Sequence, residues 1–188
     1  MTGAGLFKLG RFTSAGDIVE HRHGDRWRRE RSGPSDRLVL APASDHVLLL
    51  ADLARALPEP FGILYVLVVS RAGHDQARYQ CPAPVGRGQA LAFLDAYRDF
   101  LEHDGRHNIW LRSFPSKTTL VYDRHQLVYA YGDLASIEEA VAPRGLVEGE
   151  VDIPVPHAHQ YHSEYDQAEQ AIISHWQWRA FPLEDQDC

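Results

Sequence analysis

The sequence contains little cysteine and no long apolar run. Two cysteines, Cys81 and Cys188, are too few for a disulfide framework, and their small number is typical of a reducing compartment. No stretch approaches the roughly 18 apolar residues of a membrane span, and residues 1–8 lack the charged and then apolar pattern of a secretory signal. We therefore expect a cytoplasmic protein whose fold depends on its hydrophobic core, because 188 residues are enough to form one.

A surplus of positive charge is also absent. The formal net charge is −7, whereas a protein dedicated to nucleic acids needs lysine and arginine to neutralise phosphates. Seven basic residues nevertheless lie within residues 1–36, and Trp27 stands among the arginines of this region. The pattern predicts a charged surface hairpin that turns at Gly24 and Asp25, with anion binding as the alternative. Nucleic acid is not an expected partner.

Sharp catalytic motifs are missing as well. The chain has no His-Glu-x-x-His, no Cys-x-x-Cys, no Gly-x-Ser-x-Gly elbow and no complete phosphate-binding loop. Cys81, just before Pro82, is as natural in a core as in an active site. Asp123, Arg124 and His125 have acid–base chemistry, but a polar hairpin tip needs no catalytic explanation. These residues do not identify a reaction.

What the chain does contain is a regular succession of strand and helix patterns. Runs rich in β-branched residues predict strands at 37–41, 61–69, 77–81, 108–112, 118–122 and 126–131. Helical periodicity predicts helices at 44–57, 91–104, 134–141 and from residue 163 to about residue 178. Antiparallel hairpins dominate this order. The predicted fold is therefore α+β, a mixed, mainly antiparallel sheet with about four helices packed on it.

Composition divides the chain into three parts. Residues 1–36 form a polar, charged N-terminal hairpin region, residues 37–181 a single α+β core domain, and residues 182–188 an acidic C-terminal tail. Three helix starts carry capping signals. Ser44 and Asp133 are predicted N-caps, and Ser163 with Asp166 three residues later resembles a capping box.

Three histidines crowd into six residues just before the last helix. The prolines at 154 and 156 exclude a central strand here, because each removes a ladder donor. On an edge strand, period-2 geometry puts His157 and His159 on one face, whereas a polyproline-like turn pairs His159 with His162. The candidate metal ligands are His157, His159, His162 and Glu164, with Asp166 as a second possible carboxylate.

Such a set suits zinc, or non-haem iron with open coordination positions. Ligands from one short segment generally need another from elsewhere, and the histidines available for this are His103, His107, His125 and His175. The alternative is a structural role, in which the imidazoles bond to backbone and carboxylate groups around a helix start.

Two functional hypotheses follow. The first is a non-catalytic protein-binding or self-associating module, because the second half of the chain is rich in the aromatic residues that anchor interfaces. These residues are Tyr122, Tyr129, Tyr131, Tyr161, Tyr165, Trp176, Trp178 and Phe181. The second is a small metal-dependent enzyme, a hydrolase or an oxygenase, that uses the histidine cluster. The expected partner is another protein or a second copy of the chain, and no membrane partner is expected.

Overall fold

The computed structural model describes residues 5–187, which form two β-sheets and five α-helices. The strands are β1 (Leu9–Phe12), β2 (Ile18–Glu20), β3 (Arg26–Ser32), β4 (Ser35–Ala41), β5 (Phe61–Leu67), β6 (Ala77–Gln80), β7 (His107–Ser113), β8 (Thr119–Tyr122), β9 (Val128–Tyr131), β10 (Val147–Glu148), β11 (His157–His159) and β12 (Arg179–Phe181). The helices are α1 (His46–Ala56), α2 (Arg87–Ala96), α3 (Arg98–His103), α4 (Leu134–Val141) and α5 (Asp166–Ser174). Cys188 and residues 1–4, on which the signal-sequence expectation rests in part, lie outside the described residues.

Nine strands form the main sheet, in the order β10-β3-β4-β9-β8-β7-β5-β6-β12. All neighbouring pairs are antiparallel except β10 and β3, which run parallel. The hairpin predicted between residues 118 and 131 is present as β8 and β9. The predicted α+β class, with its mixed and mainly antiparallel sheet, is confirmed. Between residues 5 and 187, no helix has the length and apolar character needed to cross a membrane.

The helices cover one face of the main sheet and bury its apolar side chains. Helix α1 contacts α2, α3, α4 and strand β8, and its Leu50 and Leu53 are fully buried. Successive residues of a strand point to opposite faces, so Leu38 and Leu40 of β4 face the helices, where they belong to the main core. The residue between them, Val39, faces the other way and joins a smaller apolar cluster. This second face carries less cover.

A three-stranded sheet, in the order β11-β1-β2, lies against the main domain. Strand β11 is at its edge, as the prolines predict, and pairs antiparallel with β1. The N–H of Gly105 donates to the carbonyl oxygen of Gln160 over 2.8 Å, and Arg124 Nε donates to the Gly105 carbonyl oxygen over 2.8 Å. A Cβ at Gly105 would lie 3.0 Å from the Cβ of His159. Glycine therefore lets β11 approach the end of the main sheet closely.

The hairpin predicted across Gly24 and Asp25 is wrong. Strand β2 pairs with β1, whereas β3 pairs with β4 along its whole length. The apolar surface of β4 decides the pairing, because Trp27 lies opposite Leu40 and packs against the core. The domain boundary expected after residue 36 falls inside β4. In the tail expected at 182–188, Asp187 is buried, and its Oδ2 accepts a hydrogen bond from the Glu184 N–H.

Tertiary contacts replace two of the three predicted helix caps. Asp133 caps α4 as predicted, through a hydrogen bond from the Ser136 N–H. At α1, the Ser44 prediction is wrong, because the Glu102 carboxylate from α3 accepts the first N–H groups of the helix. The predicted capping box at residue 163 is also absent, since the Asp166 carboxylate binds Arg106 instead. Charged partners from distant segments explain both corrections.

Candidate metal centre

Three half-buried histidines converge where the small sheet meets the main domain. They are His125, His157 and His159, and one ring nitrogen from each lies within 4.8 Å of the others. The ring centroids are 4.9–5.1 Å apart. Two nitrogens bound to one zinc ion lie within about 4 Å of each other, given Zn–N distances of about 2.0–2.1 Å. Small side-chain rotations would therefore bring this cluster onto one ion.

Two separate elements position these imidazoles. His157 and His159 are alternate residues of β11, so both point to the same face of the small sheet. His125 comes from the tip of the β8–β9 hairpin, 32 residues earlier in the chain than His157. Asp123 shapes that tip, because its Oδ1 accepts the N–H groups of His125 and Leu127 over 2.9 and 3.0 Å. The cluster is thus held by a strand on one side and a braced turn on the other.

Hydrogen bonds fix the tautomers of two of the three rings. Asp123 Oδ2 lies 2.9 Å from His125 Nδ1, and the Pro154 carbonyl oxygen lies 2.9 Å from His157 Nδ1. Both oxygens accept, so each Nδ1 carries the proton and each Nε2 keeps its lone pair. Metal-binding histidines commonly donate their second ring N–H to a carboxylate or a carbonyl in this way. These two rings are therefore prepared to act as ligands through Nε2.

The third ring, His159, is kept neutral by its surroundings. Burial, aided by the nearby Arg124 guanidinium, lowers the pKa of His159 to about 3. Its Nδ1 is buried and has no hydrogen-bond partner among residues 5–187. A buried polar atom without a partner costs free energy, and metal binding needs a neutral imidazole with an available lone pair. His159 meets that requirement over the whole physiological pH range.

A second histidine pair supports the hairpin tip from behind. His23 is buried, and its Nε2 donates to the carbonyl oxygen of His125 over 2.8 Å. Its Nδ1 then accepts from His21 Nε2, which is 3.4 Å away. Burial lowers the pKa of His23 to about 4, so this chain of hydrogen bonds stays neutral. The pair holds the backbone of His125 in place.

Two of the four ligands predicted from the sequence lie elsewhere. His162 Nε2 donates to the Phe7 carbonyl oxygen over 2.9 Å, and the His162 N–H donates to Asp104 over 2.8 Å. The structure uses His162 as an anchor for the segment after β11. Glu164 is exposed and accepts a hydrogen bond from Ser163. Asp166 binds Arg106 and Arg71. The structure therefore brings together His157 and His159 and does not bring His162 or either carboxylate to them.

Of the other histidines considered as distant ligands, only His125 reaches the cluster. His107 is buried between Tyr65 and Phe100. His175 packs against Phe93, and His103 bonds to the backbone of its own helix. The sequence contained one signal for His125, namely the aspartate two residues before it, which supplies the supporting carboxylate.

The aromatic and arginine-rich segments have other uses. Tyr122 and Tyr165 are buried, and Trp176 and Trp178 pack against the main core. Trp27 also packs against that core. Three neighbouring arginines, Arg28, Arg29 and Arg31, pair with carboxylates. These contacts occupy most of the side chains on which the protein-binding and anion-binding hypotheses depend, although Phe181 remains 47% exposed.

Comparisons with protein-family models, with curated proteins and with solved structures give no match to this chain. Function is therefore inferred from the geometry of the site.

Proposed function

We propose that the protein binds one divalent transition-metal ion through His125, His157 and His159, and that it is a metal-dependent enzyme of the hydrolase type. The observation that carries this proposal is the convergence of three imidazoles within 4.8 Å, at the meeting point of two separate elements. A purely structural role for the three rings would not require a nitrogen of each to converge on one point.

Zinc is the metal that fits this set best. Three histidines with a fourth position left for water are a known catalytic zinc arrangement, and zinc lowers the pKa of its bound water to about 7. Non-haem iron oxygenases typically use two histidines and one carboxylate. Here the Asp123 carboxylate accepts a hydrogen bond from His125 Nδ1 and orients that ring, so it acts as a supporting group and not as a metal ligand. The donor set therefore favours zinc and hydrolytic chemistry.

Metal titration of the untagged protein tests the ligand assignment. We expect one equivalent of Zn²⁺ to bind, measured by calorimetry after EDTA treatment and by metal analysis. His125→Ala or His157→Ala should weaken binding by more than ~100-fold, since losing a supporting group alone typically weakens it by roughly 10- to 100-fold. Asp123→Asn, which keeps the Oδ1 acceptor but removes the charge, should fall in that lower range. His103→Ala is the matched control and should bind zinc normally.

Absence of stoichiometric zinc from the wild-type protein would overturn the proposal. If His162→Ala weakened zinc binding as strongly as His157→Ala, the ligand set that pairs His159 with His162 would be supported over His125, His157 and His159.

The open fourth coordination position of the proposed zinc site has its own test. The absorption spectrum of the Co²⁺-loaded protein should change when azide is added, and an unchanged spectrum would indicate a closed structural site.

A further inference from the structure

The face of the main sheet opposite helix α1 carries an apolar floor. Val39, Tyr129, Val121, Trp110 and Leu64 are successive cross-strand partners on β4, β9, β8, β7 and β5. Cross-strand partners point to the same face of a sheet. Tyr129, Trp110 and Leu64 are only half-buried. A guanidinium lies over part of each aromatic ring, that of Arg37 4.5 Å from the Tyr129 centroid and that of Arg78 5.3 Å from the Trp110 centroid. The ring surface that remains borders a cavity and is available to a ligand.

A cavity of about 360 Å³ lies over this floor. Its walls include Arg37, Arg124, His125, Ile153 and Asp187. A neighbouring cavity of about 260 Å³ shares Trp110 and continues toward Phe114. Together they form a groove within the roughly 300–1,000 Å³ typical of small-molecule sites, which also combine apolar walls with a few polar groups. His125 belongs both to this groove and to the histidine cluster.

The unpaired charge around the groove is positive. Arg124 and Arg112 form no ion pair with any residue between 5 and 187, although both line the groove. Of the acids there, Asp123 pairs with His125. Asp187 Oδ2 lies 3.6 Å from Arg78, while its buried Oδ1 has no hydrogen-bond partner among residues 5–187. Arg124 donates through Nε and Nη2 to protein oxygens. A guanidinium with unused donors favours a carboxylate ligand, which it can bind through more than one hydrogen bond.

We propose that this groove binds a small aromatic carboxylate. Its flat apolar body lies on Tyr129 and Trp110, and its carboxylate faces Arg124 and His125. The groove itself does not depend on metal binding. The added claim that this carboxylate is a product of hydrolysis rests on the proposed function, since only a metal held by His125 would give that end a reactive centre. In such a step water would add to the carbonyl carbon of an aromatic ester or amide, and the alcohol or amine would leave with a proton.

Calorimetry with 2-naphthoate and 2-naphthamide tests the ligand class. The two probes have the same ring system, but only the first is charged. We expect 2-naphthoate to bind the metal-free protein at least ~10-fold more tightly than 2-naphthamide. Zn²⁺ should increase the affinity for 2-naphthoate a further ~10-fold. Equal affinity for both probes would overturn the anionic class, and no binding of either would overturn the groove.

Variants locate the bound probe. Trp110→Ala should weaken 2-naphthoate binding at least ~10-fold. Trp27→Ala, on the helix-covered side of the sheet, should leave the affinity for 2-naphthoate unchanged. Arg124→Met should weaken it more than Arg112→Met, which lies at the other end of the groove. Arg124→Lys keeps the charge if the methionine variant fails to fold.

If zinc does not bind, the comparison of the two probes on metal-free protein still tests the groove. Failure of the proposed metal site can therefore be told apart from failure of the groove. If zinc binds without changing 2-naphthoate affinity, the link between the two sites is overturned.

Discussion

Replacing Arg106 with methionine is expected to destabilise the protein by about 3–5 kcal/mol, because it leaves two buried carboxylates without their cation. Arg106, Asp104 and Glu169 are all fully buried. Arg106 Nε and Nη2 donate to the two oxygens of Asp104 over 2.8 and 2.9 Å. Its Nη1 donates to Glu169 and to Asp166. One guanidinium therefore neutralises most of this network.

The loss should exceed that of an ordinary surface ion pair. Arg71→Met is the matched control, because Arg71 also pairs with Asp166 but is partly exposed. Exposed pairs contribute about 0–1 kcal/mol. Urea denaturation gives the free energy of unfolding for both variants, and Arg106→Lys keeps the charge without the fork of donors if the methionine variant does not fold. A loss below about 1 kcal/mol for Arg106→Met would show that the carboxylates do not depend on this cation.

Replacing Lys8 with methionine should have the opposite effect and stabilise the protein. Lys8 is fully buried, its Nζ lies 3.9 Å from the centre of the Tyr122 ring, and this atom has no hydrogen-bond partner among the described residues. Burial lowers the pKa of Lys8 from 10.5 to about 7. A shift of this size corresponds to several kcal/mol. Allowing for the lost contact with the ring, we expect a gain on the order of 3 kcal/mol at pH 7.

The pH dependence of this gain has a definite sign. Below pH 7 the amine is charged in both the folded and the unfolded state, so burial of the charge destabilises the fold fully. Between the folded pKa of about 7 and the unfolded value of 10.5, the folded protein holds fewer protons than the unfolded chain. Stability contributed at Lys8 therefore rises with pH in that window. The advantage of Lys8→Met should fall by about 2 kcal/mol between pH 7 and pH 9, which removes most of it.

Denaturant titrations at pH 6, 7, 8 and 9 measure this difference directly. Lys117 is the other lysine of the chain, and it is exposed. Lys117→Met should change the free energy of unfolding little and with no pH dependence. An advantage of Lys8→Met that stayed constant from pH 6 to pH 9 would contradict titration of the buried amine.

The sequence predicted the parts of the fold that depend on local pattern. The β8–β9 hairpin follows from two β-branched runs around a polar tip, and the N-cap at Asp133 acts within its own helix. Contacts between segments far apart in the sequence could not be predicted from local pattern. Trp27 pairs opposite Leu40 because β4 offers an apolar face, and Glu102 caps a helix 55 residues earlier in the chain.

The same limit applies to the candidate site. Period-2 geometry placed His157 and His159 on one face of an edge strand, and the structure has them there. His125 was one of four available distant histidines, and only the packing of the small sheet against the hairpin tip selects it. His162 was included because a polyproline-like turn would pair it with His159. Its backbone is held by Asp104 and Arg106, so its ring faces Phe7.

The pairing of β1 with β11 also bears on the order in which the molecule assembles. Leu9 lies opposite His159, so this contact closes a loop of 150 residues. Contacts between such distant residues carry a large loop-closure entropy and tend to form late in folding. We therefore expect the histidine cluster to be completed after the main core, and the proposed metal to bind once the core has folded. Zinc present during refolding should leave the rate of core formation unchanged, as followed by tryptophan fluorescence; faster core formation with zinc would mean that the ion nucleates the fold.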